Sequence, residues 1–203
     1  MQIKTVPIKD CAHVLPGFSI KTSISHDLNG THQIILAKHL PDIGPYEFKK
    51  EHELRIIPER PSEKYRVSAG DILFMSRGVF NRAILLNTVP ENTLAMASFY
   101  IIRPKKMVDS GYLAYCLNQE PLQNKIAEIR TGAGTPLVPR ADFSQIQISL
   151  PPFDEQKKIA KIGKLMIQEK ILVNRMYEKL ELKHRLLGKR ILNRLEYSSI
   201  KNE

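Results

Sequence analysis

Asp42, Glu47 and Lys49 are two carboxylates and a lysine, a set able to hold Mg²⁺ and activate water for phosphodiester cleavage. Pro41-Asp42 followed by Glu47-Phe48-Lys49 has the letters of a PD…ExK nuclease site. The gap between them contains Gly44-Pro45, a turn where such a site requires a second strand, and the competing expectation is a charged surface loop. Leu150-Pro151-Pro152-Phe153 has the outline of an amine-methylating loop. In such a loop the residue before the prolines must be an amide or carboxylate, to accept hydrogen bonds from the target amine. Leu150 offers no acceptor, and the chain has no Gly-rich strand-to-helix turn for a nucleotide-like cofactor. His26, His32 and His39 form no pair at helical spacing and have no cysteine cluster nearby, so no metal and no other cofactor is expected. Asp71 and Ser76 lack a histidine partner before His184, which removes a hydrolytic triad.

Two loops have chemistry of another kind. Ser76-Arg77-Gly78-Val79-Phe80-Asn81-Arg82 joins two expected strands, and Thr131-Gly132-Ala133-Gly134-Thr135 runs on to Pro139-Arg140. Arginine and asparagine pair with guanine and adenine edges in the major groove, while glycine and threonine let backbone N–H groups and hydroxyls approach phosphates. Each loop taken singly is equally an ordinary polar turn. The charge balance favours the first reading: 31 Lys and Arg against 21 Asp and Glu give a formal net of +10 and a sequence pI near 9.6. That excess attracts polyanions through long-range steering and counterion release.

These loops must be held by a scaffold, and the sequence divides near Leu150-Pro151-Pro152. Residues 1–150 hold nearly all the prolines and read as α+β with a mixed or antiparallel sheet. Strands are expected at Gln33–Leu36, Ile72–Ser76, Ala83–Leu86, Ser98–Ile102 and Gln145–Leu150. Helices are expected from Asp109-Ser110 and from Pro121 to about Ile129. Residues 151–203 contain no proline beyond Pro152 and only Gly163 and Gly188. They suit one long helix from Asp154, read as its N-cap, to about Leu195. Ile159, Ile162, Met166, Val173, Met176, Leu180 and Leu187 fall on one seam, continued by Ile191 and Leu195 and interrupted by Glu169, Lys183 and Arg190. Roughly 40 helical residues make a rod about 60 Å long, more seam than one small domain covers, so a second helix is expected against it. Cys11 and Cys116 are the only cysteines and fit a reducing, cytoplasmic compartment. No apolar run is long enough to span a bilayer, and the first residues carry no secretory pattern, so no membrane partner is expected.

Four stretches, in order along the chain, resemble the specificity subunits of type I restriction-modification systems. Gln33-Ile34-Ile35-Leu36-Ala37-Lys38-His39-Leu40 is similar to the early strand of the family's target-recognition domain. Val67-Ser68-Ala69-Gly70-Asp71-Ile72-Leu73-Phe74-Met75-Ser76-Arg77-Gly78 resembles its Gly-Asp-led strand and loop, and Thr131–Val138 its Gly-rich segment. Leu150-Pro151-Pro152-Phe153-Asp154-Glu155-Gln156-Lys157-Lys158-Ile159-Ala160 resembles the family's Leu-Pro-Pro-x-x-Glu-Gln-x-x-Ile helix entry, the most specific of the four.

The resemblance implies a non-catalytic protein in which residues 1–150 are a target-recognition domain for double-stranded DNA. Residues 151–203 would be the family's long conserved helix, used for dimerisation and docking of DNA methyltransferase subunits. The family's subunit has two recognition domains and two antiparallel helices. One of each here makes a half-length subunit, which implies a homodimer or pairing with another half-specificity subunit. The implied DNA-binding residues are Lys38, His39, Ser76, Arg77, Asn81, Arg82, Thr131, Gly132, Gly134, Thr135 and Arg140. The implied helix-pairing residues are Ile159, Ile162, Met166, Val173, Met176, Leu180 and Leu187. The alternatives are a Mg²⁺-dependent nuclease built on Asp42, Glu47 and Lys49, and a helical adaptor that does not bind DNA.

Overall fold

The computed structural model describes residues 3–20 and 23–200, with the side chains of the long helix described through Arg194. The side chain of Leu195, expected on the seam, and the final residues 201–203 of the second region lie outside this description. The chain forms two compact units, Met1–Lys164 and Leu165–Glu203.

The first unit is built on strands whose apolar residues run without alternation. Strand β7 (Ile72–Met75) and strand β10 (Phe99–Pro104) pair antiparallel, Ile72 opposite Ile102 and Phe74 opposite Tyr100. Successive side chains point to opposite faces, so a run such as Ile72-Leu73-Phe74 is stable only where both faces are covered. Both are. Ile72, Phe74 and Ile102 enter a core with Ile8, Leu113, Leu117, Phe143 and Ile148, while Leu73, Phe99 and Ile101 enter a second with Ile35, Tyr46, Val67 and Leu86. The five-stranded sheet is completed by β2 (Ala12–Pro16), β8 (Ala83–Thr88) and β4 (Tyr46–Glu47), in the order β2-β10-β7-β8-β4. Only the β4–β8 pair within it is parallel.

Helices cover the first face. They are the short α1 (Ile8–Cys11), α2 (Ser110–Leu117), α3 (Glu120–Glu128) and α4 (Arg140–Gln145). Asp109 caps α2 by accepting the Tyr112 N–H at 2.8 Å, and Pro121 sits in the first turn of α3. A second sheet covers the other face: β5 (Arg55–Ile56), β3 (His32–Ile35), β9 (Thr93–Ala95) and β6 (Arg66–Val67), in that order, with β3 and β9 parallel. Its outer side buries Phe18, Ile34, Ile56, Tyr65 and Leu94 in a third core. Strand β1 (Lys4–Pro7) pairs antiparallel with β11 (Gln147–Leu150), which leads to the last helix. The fold class is thus α+β with mixed and antiparallel sheets.

Helix α5 spans Phe153–Ile200. Its first turn closes on Pro152, whose carbonyl accepts the N–H groups of Glu155 and Gln156 at 2.9 and 3.1 Å. Asp154 therefore lies inside the first turn and is not the N-cap expected from the sequence; there it still complements the positive helix end. The compact unit runs on to Lys164, past the composition break at residue 150, because the start of α5 is fastened to it. The Gln156 side chain is buried; its Oε1 accepts from Asp109 N–H at 2.9 Å, and its Nε2 donates to the carbonyls of Pro151 and Met107 at 2.9 and 3.2 Å. Gly163 lies against the Tyr115 ring, where an added Cβ would come within 2.5 Å of Cδ2, so this glycine serves close packing. No described helix is long and apolar enough to cross a membrane.

Replacing Gln156 with leucine keeps the volume but strands one backbone donor and two acceptors. We expect Gln156→Leu to lower stability by about 2–3 kcal/mol, read as a shift of the urea midpoint with an unchanged slope. An unchanged midpoint would show that these bonds do not fasten the helix.

Candidate nucleic-acid interface

The loop between β7 and β8 and the segment between α3 and α4 are far apart in sequence and adjacent in space. Gly78 N–H donates to Pro136 O at 2.8 Å, Val138 N–H donates to Ser76 O at 2.9 Å, and Arg77 forms a β-bridge with Leu137. Thr131 and Leu137 exchange both backbone hydrogen bonds, at 2.9 and 2.8 Å, closing Gly132–Pro136 into a tight lobe. The turns need φ values of +86° at Gly78 and +96° at Gly132, where a side chain would be strained.

What the lobe presents differs in part from what the sequence led us to expect. Arg77, Thr131, Gly132, Gly134, Thr135 and Arg140 are exposed, as is Lys38. Arg77 and Arg140, from the two separate segments, both act on the phenol of Tyr100: burial pushes that phenol up from its ordinary pKa, and the two guanidiniums oppose the shift. Tyr100 itself donates to Val138 O at 2.6 Å and so braces the lobe from beneath.

Three of the expected contact residues face inward. Ser76 is 1% exposed and donates to Ser98 O at 2.9 Å. Asn81 is 2% exposed, and its Nδ2 donates to Met75 O at 2.8 Å and Gly78 O at 3.3 Å. His39 is 8% exposed, accepts the Leu36 N–H on Nδ1, and stacks on His52 with ring centroids 5.7 Å apart. Burial, reinforced by His52 and Lys38, holds the His39 pKa below its ordinary value, which disfavours the charged form of the ring. These three side chains shape the loops from within. Arg82 is also engaged: its Nη1 donates to the carbonyls of Pro41 and Asp42, and it lies 3.9 Å from the Asp42 carboxylate.

Arg130 and Gln123 also hold the loop, although neither stands out in the sequence. Arg130 donates to Val79 O at 3.0 Å and Gln123 to Asn81 O at 2.9 Å, so both tie the β7–β8 loop to α3 and the turn after it. The position of Arg130 directly before Thr131 was the available signal. Asp71 is engaged in the core of the domain. It is buried, accepts the Ser68 N–H, and binds Arg103 in a two-point ion pair at 2.9 and 2.8 Å.

The proposed nuclease trio has separate partners. Asp42 faces Arg82, Glu47 accepts from Asn87 at 3.2 Å, and Lys49 pairs with Glu51 at 3.5 Å. Among the described residues no three His, Cys, Asp or Glu side chains are grouped to hold a metal ion.

The fold of this chain is shared with solved structures from type I restriction-modification systems. The HsdS subunit from Thermoanaerobacter tengcongensis matches over 84% of this chain and 38% of its own, with a TM-score of 0.59 at 19% identity. A structure described by its complex assembly and conformational transition of the type I R-M system matches over 94% of this chain and 45% of its own, with a TM-score of 0.72 at 18% identity. The chain belongs to the family of type I restriction modification DNA specificity domains, whose model matches residues 2–182. The MjaVIII specificity subunit of Methanocaldococcus jannaschii is 28% identical over 160 residues, 78% of this chain and 34% of that protein. The EcoKI specificity subunit of Escherichia coli is 36% identical over 69 residues, 34% of this chain and 15% of that protein. The matched stretches thus span about a third or less of these curated relatives.

Because Asn81 builds the loop from inside, Asn81→Ala should cost about 1–3 kcal/mol of stability by removing the donor to the part-buried carbonyls of Met75 and Gly78. Thermal unfolding with the wild type alongside tests this. An unchanged transition combined with altered preference at a single base pair would return Asn81 to the set of reading residues.

Proposed function

We propose that this chain reads a DNA sequence on behalf of DNA methyltransferase and restriction subunits and performs no catalysis itself. The observation that supports this most is the convergence of Arg77, Arg130 and Arg140, from separate parts of the chain, around the exposed Thr131–Thr135 lobe. Loops presented by a rigid scaffold are where binding residues concentrate, and backbone N–H groups with hydroxyls between guanidiniums suit a phosphate backbone and base edges together. Within this reading Lys38, Arg77, Thr131, Gly132, Gly134, Thr135 and Arg140 face double-stranded DNA. Ser76, Asn81, Arg82 and His39 support them. The work belongs in the cytoplasm, where the DNA and both free cysteines would be at home.

Helix α5 supplies the second half of the proposal. Met166, Val173, Met176, Leu180 and Leu187 are exposed, as is Ile162, while Ile159 is half-buried. Leu165, Leu172 and Leu186, each one residue before a seam position, are also exposed and widen the seam into a broad apolar face. Such a face is unstable in water and suits a second helix. That helix would come from another copy of this chain or from another half-specificity subunit, and methyltransferase subunits would dock on the pair.

Two outcomes test the proposal. Arg77→Ala and Arg140→Ala should weaken binding to the preferred duplex. An arginine reading guanine should cost about 1–3 kcal/mol and relax specificity at one position, whereas one on phosphate should weaken all sequences alike and flatten the salt dependence. Titrations against specific and random duplexes at two salt concentrations separate these roles, and wild-type behaviour in both variants would move the interface elsewhere. In the helix, Val173→Asp with Leu180→Asp places two carboxylates in the apolar face and should convert the assembly to monomer. Sedimentation of the wild type as a monomer, both alone and with its methyltransferase subunit, would refute the pairing.

A further inference from the structure

The tip of the β7–β8 loop has two adjacent apolar side chains in water, Val79 at 58% and Phe80 at 76% exposure. Single exposed apolar residues are ordinary on protein surfaces. This pair differs in how its backbone is held. Arg130 donates to the Val79 carbonyl, Gln123 to the Asn81 carbonyl, buried Asn81 to the Gly78 carbonyl, and Gly78 N–H to Pro136. Every residue from Gly78 to Asn81 except Phe80 is thus tied by a hydrogen bond from the surrounding structure, and the exposed Phe80 is carried between two braced neighbours, Val79 and Asn81.

The charge around the tip narrows what can cover it. Arg77 precedes the pair, Arg130 is bonded to it, and Arg140 converges with Arg77 on Tyr100. Among the described residues none of these three arginines is held in an ion pair with a carboxylate. An apolar pair ringed by unneutralised guanidiniums complements a polyanion that also has apolar patches. Duplex DNA offers two kinds: the C5-methyl groups of thymine on the major-groove floor, and base faces that open only when a step is unstacked. Unstacking costs a few kcal/mol per step and admits one wedge, whereas Val79 and Phe80 are two consecutive exposed residues, and arginine is the side-chain type that pairs with guanine edges in the major groove.

Resting on the DNA-recognition reading above, we infer that Val79 and Phe80 form an apolar reading tip that packs on a thymine C5-methyl group in the major groove, with Phe80 as a specificity-determining residue. The neighbouring arginines fix the tip on the backbone and adjacent base edges, and the ring then favours thymine over cytosine by contact with the methyl group.

The test uses the full chain with its methyltransferase subunits and the preferred duplex selected from a random-sequence library. Each thymine is replaced in turn by uracil, which removes only the methyl group. One buried methyl is worth about fourfold in affinity, so the wild type should lose about that much at one or two positions and nothing elsewhere. Phe80→Ala, at an exposed position and expected to melt with the wild type, should bind the thymine and uracil duplexes alike. Phe80→Leu should keep part of the discrimination. The inference falls if the selected half-site contains no thymine, if uracil is tolerated everywhere, or if the uracil effect survives in Phe80→Ala. It also falls if 2-aminopurine fluorescence rises on binding in a Phe80-dependent way, which would assign insertion between bases instead. Failure of the wild type to bind any duplex from the library would be a different result, overturning DNA recognition itself.

Discussion

The structure depends on a sheet whose central strands, β7 and β10, are buried on both faces. A strand with apolar residues at every position cannot tolerate water on either side. Helices must therefore lie on the Ile72–Phe74 side and a second sheet on the Leu73–Ile101 side. Once both faces are closed, polar chemistry is confined to the ends of the strands. The β7–β8 connection lies at one such end, and the segment after α3 is drawn to it because Tyr100 on β10 donates to Val138 and Ser76 accepts from the same residue. The candidate interface is in this sense a consequence of the core.

Within the interface, shape and presentation fall to different residues. Ser76, Asn81, Gln123 and Tyr100 spend their polar groups inward on backbone carbonyls, which defines the path of both loops. Arg77, Val79, Phe80, Thr131, Gly134, Thr135 and Arg140 are exposed, and of these Thr131 also donates its hydroxyl to Leu137 O within the lobe. Such a division permits the outward set to change without loss of the loop geometry, because no buried hydrogen bond is broken when an exposed side chain is exchanged. It also explains why counting Arg and Asn as equivalent base readers misleads here. A buried amide bonded to two carbonyls has no donor left for adenine.

The sequence revealed the long elements because their apolar patterns arise from their own burial. The runs at Ile72–Met75 and Phe99–Ile102 and the Pro-free stretch after Pro152 each declare their element without outside help. The two-residue strands Tyr46–Glu47, Arg55–Ile56 and Arg66–Val67 are too short to show a period. Strand β1 exists only because its partner β11 lies at the far end of the domain. The candidate site was half legible. The two loops stood out by glycine and arginine content, and their order along the chain supported the family resemblance. Which of their polar residues face water was hidden, since a serine, asparagine or histidine carries no mark of the carbonyl it will meet. Gln156 shows the same limit: it lies inside the helix-entry motif, yet only its three backbone partners reveal why an amide is needed there.

The polar residues on the seam of α5 gain meaning on the proposed helix pairing. Glu169, Lys183 and Arg190 occupy positions where apolar residues would give the strongest pairing. The leucines at 165, 172 and 186 broaden the apolar face beside the seam, so these interruptions need not abolish association. They would act on register instead. Sliding one helix along the other by a turn would bring a charge against leucine or methionine and leave it without water, a penalty of several kcal/mol that the correct register avoids. An uninterrupted apolar face would bind more tightly and tolerate several registers. If the proposed pairing holds two recognition domains along a duplex, the register of the paired helices would fix the distance between them, and a weaker but unique pairing would serve better than a stronger ambiguous one.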